Sequence, residues 1–507
     1  MNRIDDAMKR YALTQEIIEN GIELVRVSDS PGARFDSAVR KLVLHTQSEP
    51  PDYWMDLVGC ARAVRGRLIT QPQPIEFNPS IDSGVSDLIK ESSRLKHRVS
   101  HESSQIIREL AKSAEDLLSS APPVSEILLE SIRELGPEKC VIVAANSAAV
   151  AGLDRWLRKH GVSVASVGQL QRDGMFVSQA YAVGPPRFFP SSLVTAPITA
   201  ALTYLFPSWF TDRSIPSSAL ASHAEGGIQI RPRFYSVGDA SKSDEVITYG
   251  AISEADLIPQ PIWSTPPVTL KRARPGEVAA RRVLLSGGYS MFLDDGDRIR
   301  AVDPTQQPGG RISYTHVDSV KIDTYLLLRD GATDRQASYD AALALMGARR
   351  DDVASTQAEW KNKLQARLNR LGETRALSQL AALGLTTLDR VEAWIDPTLA
   401  RPKSDRDFAL LLEWLDIPLQ PTFRLATDLA RKRARASANI AAQLEDAVDA
   451  MDVSVLERDG HVRLAAKSTG FRGALATRVL AISPNIEFVQ RHEARVLMQD
   501  RGAKWLE

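Results

Sequence analysis

Five cationic side chains crowd one stretch near residue 430, and phosphate binding is the chemistry that such a cluster can perform. The cluster consists of Arg424, Arg431, Lys432, Arg433 and Arg435. Each lysine or arginine that reaches a phosphate adds a roughly independent counter-ion-release contribution to binding. Asp428 is the only acid close to these residues. We therefore predict a nucleic-acid-binding site here; the alternative is a solvated helix face.

A second basic cluster precedes the β-rich part of the chain. Lys271, Arg272 and Arg274 are nearly consecutive, and Arg281 and Arg282 follow them. The same reasoning predicts contacts with nucleic acid from Lys271, Arg272 and Arg274, with the same solvated-surface alternative.

Two groups of residues could bind a metal ion, but each has a plainer explanation. His97 and His101 are four residues apart in a helical pattern, yet the HExxH order is absent and no cysteine is near. Asp294, Asp295 and Asp297 could gather a divalent cation, although a hairpin turn explains them better. We predict a solvated helix for the first group, a turn for the second and no metal site.

The triplet Glu359-Trp360-Lys361 mimics the ExK element of a nuclease core. That element belongs on a strand beside an upstream acid, whereas this triplet lies in a helical pattern. We interpret it as part of a surface helix.

Two common catalytic motifs are absent from the sequence. It contains no GxxxxGK[ST] loop for nucleotide phosphates, and "GGYSMF" lacks the last glycine of a GxSxG nucleophile elbow. We therefore predict no catalytic residue and no cofactor, and a non-enzyme in preference to an enzyme. A metal-dependent enzyme with a non-standard site built from dispersed acids stays open as an alternative.

The best-specified element is a strand–helix–strand unit that begins near residue 138. Residues 140–145 are apolar at every position, as in a strand buried on both faces. Asn146 is a candidate helix N-cap, and Gly161 ends the helix before the strand "VSVASV". Two further strands are expected at "MFVSQAYAVG" and "ALTYLF". Pro185 to Arg187 should lie at the sheet rim where ligands of α/β sheets gather.

The rest of the chain divides by pattern into further segments. An apolar seam near 3.5-residue spacing predicts a long helical arm that packs on another part of the chain, with a self-associating coiled coil as the alternative. Asp294–Asp297 and Asp459-Gly460 are expected to be hairpin turns. Leu383–Trp394 resembles a helix-turn-helix, with a small packing unit as the alternative. The predicted segments are an N-terminal helical region (1–82), the helical arm (83–136), an α/β domain with an irregular insertion (137–267), a small β domain (268–330), a helical domain (331–451) and a C-terminal β hairpin and strand region (452–507).

Composition narrows the class of protein. The chain has 507 residues, and its 63 lysines and arginines equal its 63 aspartates and glutamates, so any basic site must be local. Only two cysteines occur, and Cys140 lies in the predicted buried strand, which argues against a disulfide framework. No window approaches a membrane span, and the N-terminal residues lack the apolar core of a signal peptide. We predict a soluble, cytoplasmic, multidomain protein without a membrane partner.

The run from Ser125 to Val164 resembles the second RecA-like domain of helicases, over about residues 124–206. The order of segments also resembles accessory proteins of prokaryotic anti-phage defence, notably the DrmE-like component of DISARM systems. The segments that carry this second resemblance are "AYAVGPPRFFPSSLVTAPITA", "KIDTYLLLRD" and "RVEAWIDPTLARPKSDRDFALLLEWL". The resemblance implies a DNA-related defence role and assigns no catalytic residue.

These observations predict a multidomain α/β protein. Its parts are a degenerate RecA-like parallel sheet domain with a helical N-terminal arm, a small antiparallel β domain and a mostly helical C-terminal half. The expected function is that of a non-catalytic nucleic-acid-binding or scaffold subunit of a prokaryotic defence complex, with DNA and a helicase or nuclease as partners. A protein–protein adaptor that never touches DNA is the alternative from another class.

Overall fold

In a computed structural model the chain forms two compact units, one of Met1–Ile262 with Lys504–Glu507 and one of Trp263–Ala503. The six segments expected from the sequence are distributed between these two units. The ranges that the structure describes are 3–47, 51–173, 176–216, 230–238, 252–261, 263, 277–296, 298–329, 334–388, 391–464 and 473–506.

The first unit combines a parallel sheet with many helices. Its helices are α1 (Arg3–Asn20), α2 (Ser30–Thr46), α3 (Pro51–Thr70), α4 (Pro79–Leu95), α5 (His101–Leu118), α6 (Pro123–Leu135), α7 (Ser147–Leu157), α8 (Val167–Asp173), α9 (Ser192–Thr195) and α10 (Glu254–Leu257). Its strands are β1 (Ile22–Val27), β2 (Cys140–Ala144), β3 (Ser163–Ser166), β4 (Gln179–Val183), β5 (Leu202–Pro207) and β6 (Pro232–Val237).

All six strands run parallel in the order β3-β2-β4-β5-β1-β6. One face packs on α1, α8 and α9, and the other packs on α6 and α7. Since both faces are covered, the central strands are predominantly apolar, and β2, β4 and β5 are almost completely buried. The predicted strand–helix–strand unit is confirmed: Asn146 caps α7, and Gly161 adopts a left-handed conformation.

Helices α2 to α5 pack around a separate apolar core. The long helical pattern is divided here, because α4 ends at Leu95 and Ser100 caps a new helix, α5, whose apolar face joins the same core. The apolar seam therefore holds a compact helical bundle together, and no single long arm is formed.

A buried ion-pair cluster fixes this bundle to the residues after β5. Arg40 and Arg65 both pair with Asp36 and with Glu254 on α10, and the side chain of Arg65 is fully buried. Thr211 adds a hydrogen bond of 2.8 Å to Glu254. Burial would raise the pKa of Glu254, but the two arginines outweigh it and hold the pKa below its usual value.

The second unit contains a β-sheet and a helical part. Its helices are α11 (Asp334–Ala344), α12 (Arg350–Leu371), α13 (Glu373–Ala382), α14 (Asp405–Trp414), α15 (Leu419–Asp449) and α16 (Val453–Asp459). Its strands are β7 (Glu277–Leu285), β8 (Tyr289–Asp294), β9 (Arg298–Val302), β10 (Ile312–His316), β11 (Tyr325–Arg329), β12 (His461–Leu464), β13 (Ala474–Ile482), β14 (Glu487–Gln490) and β15 (Met498–Gln499). A last helix, α17, spans Arg501–Leu506, and its residues from Lys504 onward belong to the first unit.

The sheet of the second unit is antiparallel, with the path β10-β9-β11-β13-β7-β8-β15, while β12 pairs with β13 and β14 with β7. The small β domain and the C-terminal strands expected from the sequence therefore share one sheet. The expected hairpin at Asp294–Asp297 is wrong, because β8 and β9 pair with other strands. The tight hairpin joins β7 to β8 instead, and Gly287 and Gly288 both take the positive φ values that its turn requires.

The expected hairpin at Asp459-Gly460 is also wrong. Residues 453–459 form α16, and Gly460 ends that helix in the left-handed conformation before β12 begins. An Asp-Gly pair supplies a positive φ to a helix end as readily as to a hairpin, so the local sequence did not decide between them.

The helical part packs around the aromatic side chains of Trp360, Trp394, Phe408 and Trp414. Helix α15 contributes to this part with its first half, through Leu425, Ala426 and Leu429. Its second half packs on the sheet through Ile440, Leu444 and Val448. One helix therefore joins the helical part to the sheet within this unit.

None of the described helices combines the length and the apolar character that a membrane crossing requires.

Asp407 offers a test of the helical packing. Its carboxylate is fully buried and accepts hydrogen bonds from Thr386 and Thr387, while Ser404 caps its helix. Burial would raise the pKa of Asp407, but these hydrogen bonds outweigh it and hold the pKa below its usual value.

We expect Asp407→Ala to lower the free energy of unfolding by roughly 3 kcal/mol, because two threonines lose a charged acceptor. The deficit should shrink as the pH falls below about 4, where the unfolded chain begins to protonate Asp407, until the pH is below the lowered pKa of the folded carboxylate. Urea unfolding measures both effects. The control Asp405→Ala, on the exposed side of the same helix, should change stability by less than about 1 kcal/mol. Equal losses in the two variants would contradict this account.

Candidate nucleic-acid interface

The basic cluster of α15 separates into an outward and an inward part. Arg431 and Arg435 follow Arg424 by about two and about three helical turns, so the three side chains share one face. All three are exposed, and the Arg431 side chain is 78% accessible. We call these three residues the outward arginine stripe.

The opposite face of α15 is the buried one. Its buried residues are Thr422, Leu425, Ala426, Leu429, Ala436, Ile440, Leu444 and Val448. This spacing follows the 3.6-residue helical period along the whole helix. The outward arginine stripe therefore lies where core packing places no demand on the side chains.

Arg433 and Lys432 do not belong to the stripe. Arg433 lies about two and a half turns after Arg424, so it points toward the core side, where its Nε donates to Ser338 on α11 at 3.4 Å. Lys432 lies on the flank of the helix and is half-buried. Of the five residues predicted to contact phosphate, Arg424, Arg431 and Arg435 therefore share one exposed face, whereas Lys432 and Arg433 lie outside it.

One carboxylate lies within the stripe. Asp428 pairs with Arg431 at 3.7 Å and with Arg349 at 3.2 Å. Two arginines thus share one acid, which leaves this surface with an excess of positive charge.

The second predicted cluster cannot be placed. Lys271, Arg272 and Arg274 lie outside the described residues. Of the arginines that follow, Arg281 is exposed, whereas Arg282 pairs with Asp500 at 2.6 Å.

The candidate metal groups do not assemble. His97 lies between α4 and α5 and His101 begins α5, so one helix face does not carry both. Asp294 accepts a hydrogen bond from Arg495, and Asp297 lies outside the described residues. Within the described ranges, no three His, Cys, Asp or Glu side chains converge as a set of metal ligands.

The Glu359-Trp360-Lys361 triplet is helical, as expected, but it is not a surface feature. Glu359 is exposed and pairs with Lys363, whereas Trp360 and Lys361 are buried. The Nζ atom of Lys361 donates to the Pro397 carbonyl at 2.9 Å. Glu359 and Lys361 therefore diverge, and the arrangement does not form a nuclease site.

The burial of Lys361 has a clear effect on its protonation. Desolvation lowers the pKa of Lys361 to about 8, Asp396 opposes this shift, and the positive charge of Arg433 adds to it. Sequence reasoning missed this residue because a lysine in a helical pattern is normally exposed.

The Leu383–Trp394 segment forms a packing unit. Glu392–Ile395 is a single 3₁₀ turn where a recognition helix would begin, and Asp389 and Arg390 lie outside the described residues. Leu385, Val391 and Trp394 are buried in the helical core. The packing alternative therefore fits the described residues.

In the first unit, Pro185 to Arg187 do lie at the carboxyl edge of the sheet, directly after β4. The switch point of the strand order, between β2 and β4, is where ligands of α/β sheets usually bind. The end of α3 packs close to the carboxyl end of β4, where a Cβ atom on Gly184 would lie 3.5 Å from Thr70. Arg187 pairs with Asp212 at 2.6 Å.

No protein-family model, no curated protein and no solved structure matches this chain.

Lys361 gives a prediction about pH. Because the pKa of Lys361 is lowered on folding, the unfolded chain holds more protons between about pH 8 and 10, and stability should rise with pH in that range. One proton accounts for at most about 1.4 kcal/mol per pH unit.

The variant Lys361→Met should lose this rise, as measured by urea unfolding at pH 7, 8, 9 and 10. Lys363→Met, an exposed neighbour on the same helix, should keep it. Identical pH profiles for wild type and Lys361→Met would contradict the assignment.

Proposed function

We propose that this protein is a non-catalytic nucleic-acid-binding subunit that contacts phosphate through the outward arginine stripe of α15. The observation that carries the proposal is the separation of the cluster. Arg424, Arg431 and Arg435 share the exposed face, while Arg433 contacts a neighbouring helix.

The spacing of the stripe suits a phosphate backbone. Arg424 and Arg435 are separated by roughly 16 Å along the helix, at about 1.5 Å per residue. A DNA strand carries one phosphate per roughly 3.4 Å of helix axis, so the stripe spans several successive phosphates. Such contacts bind nucleic acid without reading bases, because phosphates carry no sequence information.

The first unit supports a scaffold role. Its parallel sheet, with the β2-α7-β3 unit, is compatible with the proposal of a degenerate RecA-like domain. The chain lacks a phosphate-binding P-loop, and the end of α3 packs beside Gly184 at the carboxyl end of β4. We extend the proposal to a subunit of a prokaryotic anti-phage defence complex that holds a helicase or nuclease partner on DNA.

The test is fluorescence anisotropy of labelled single- and double-stranded DNA across a salt series. The variant combines Arg424→Gln, Arg431→Gln and Arg435→Gln. We expect the wild type to bind with a steep salt dependence. The variant should lose affinity, and its log–log salt slope should fall by roughly 2 to 3 units, because three phosphate contacts are removed.

The matched control combines Arg370→Gln, Arg375→Gln and Arg406→Gln, which removes the same charge from exposed positions in the same unit. It should leave the slope nearly unchanged, as should Arg433→Gln alone. Equal losses in the stripe and control variants would show that net charge, not the stripe, governs binding. If the wild type does not bind DNA near physiological salt, the proposal fails and the adaptor alternative stands.

A further inference from the structure

A slot between α3 and α4 in the first unit holds the tryptophan of the C-terminal segment. The ring of Trp505 lies against Gly59, so closely that a Cβ atom there would come within 2.3 Å of it. Cys60, Ala63 and Gly84 complete the small-residue lining. The slot is therefore shaped for an aromatic ring.

The glycine at position 59 has no role in backbone geometry. It lies in the interior of α3, where glycine is less favourable than alanine by about 1 kcal/mol. Its backbone is not in a left-handed conformation. The close approach of the ring is therefore the feature that requires glycine at this position.

The segment is also held by its backbone. Arg67 is buried and donates to the Lys504 carbonyl at 3.0 Å and to the Ser80 carbonyl at 3.1 Å. Gly84 leaves space for this guanidinium, since a Cβ atom there would lie 3.1 Å from its Nη1 atom. A peptide carbonyl next to the tryptophan is thus part of what the slot recognises.

An acidic rim completes the recognition. The Lys504 ammonium lies 3.4 Å from the Asp87 carboxylate and 3.3 Å from the Ser83 hydroxyl. Both charged side chains are about half exposed, at 49% each, so the ion pair contributes little to stability. The ring, the Arg67 hydrogen bond to the Lys504 carbonyl and the exposed ion pair are the contacts through which the slot recognises the segment.

We propose that this slot is a docking site for a Lys-Trp segment of a partner protein, and that the chain's own Lys504-Trp505 occupies it until the partner displaces it. The chemistry of the occupant is fixed by the three contacts: a tryptophan ring, the preceding carbonyl and a basic side chain. This site is independent of the outward arginine stripe.

Cys60 reports on the slot because it lies in the lining and is only 5% exposed. The measurement is the rate of Cys60 alkylation by N-ethylmaleimide in the full chain, read by peptide mass spectrometry. Cys140, buried in β2, serves as the internal control. Trp505→Ala should raise the Cys60 rate by roughly tenfold or more and leave Cys140 unchanged.

A synthetic peptide of residues 501–506, RGAKWL, should slow Cys60 alkylation again in the Trp505→Ala protein, whereas RGAKAL should not. Gly59→Ala provides a second variant, in which the added methyl group should expel the ring while favouring the helix. It should raise the Cys60 rate, and RGAKWL should not protect it. An unchanged Cys60 rate in Trp505→Ala, or equal protection by the two peptides, would overturn the proposal.

Discussion

The packing of the second unit depends on α15, because this helix buries one face along nearly its whole length. Its first half packs on the aromatic core of the helical part, and its second half packs on the sheet. The apolar residues that meet these demands recur with the helical period, so the charged residues are confined to the remaining surface. Arg433 shows the limit of this rule, because it lies on the core side and its charge contributes to the lowered pKa of the buried Lys361.

The first unit is governed by a different constraint, the burial of two arginines with two acids. Arg40 and Arg65 are compensated by Asp36 and Glu254, and removing one partner would leave a buried charge unpaired. This cluster links the helical bundle to the residues that follow β5. The end of α3 packs beside Gly184, at the carboxyl end of β4.

Local patterns predicted the elements that depend on nearby residues. The strand–helix–strand unit, the Asn146 cap and the Gly161 stop all follow from neighbouring side chains and backbone conformation. The arrangement of the second sheet depends instead on pairing between strands that are far apart in the sequence. The central place of β13 between β11 and β7 joins residues more than 140 positions apart. Asp459-Gly460 fits a helix end as well as a hairpin turn, so the local sequence does not distinguish the two. Counting helical turns from Arg424 would have divided the basic cluster into its exposed and inward-facing residues. The slot for Trp505 has only one signal in the sequence, the glycine at position 59 inside α3.

The central claim is that the outward face of α15 contacts nucleic acid. Arginine-selective modification of the intact protein by phenylglyoxal, read residue by residue with mass spectrometry, tests it most directly. The account predicts that saturating DNA at low salt protects Arg431 and Arg435, while the exposed Arg370 on α12 reacts at the same rate with and without DNA. Equal modification of Arg431 and Arg435 in the presence and absence of DNA would contradict the account.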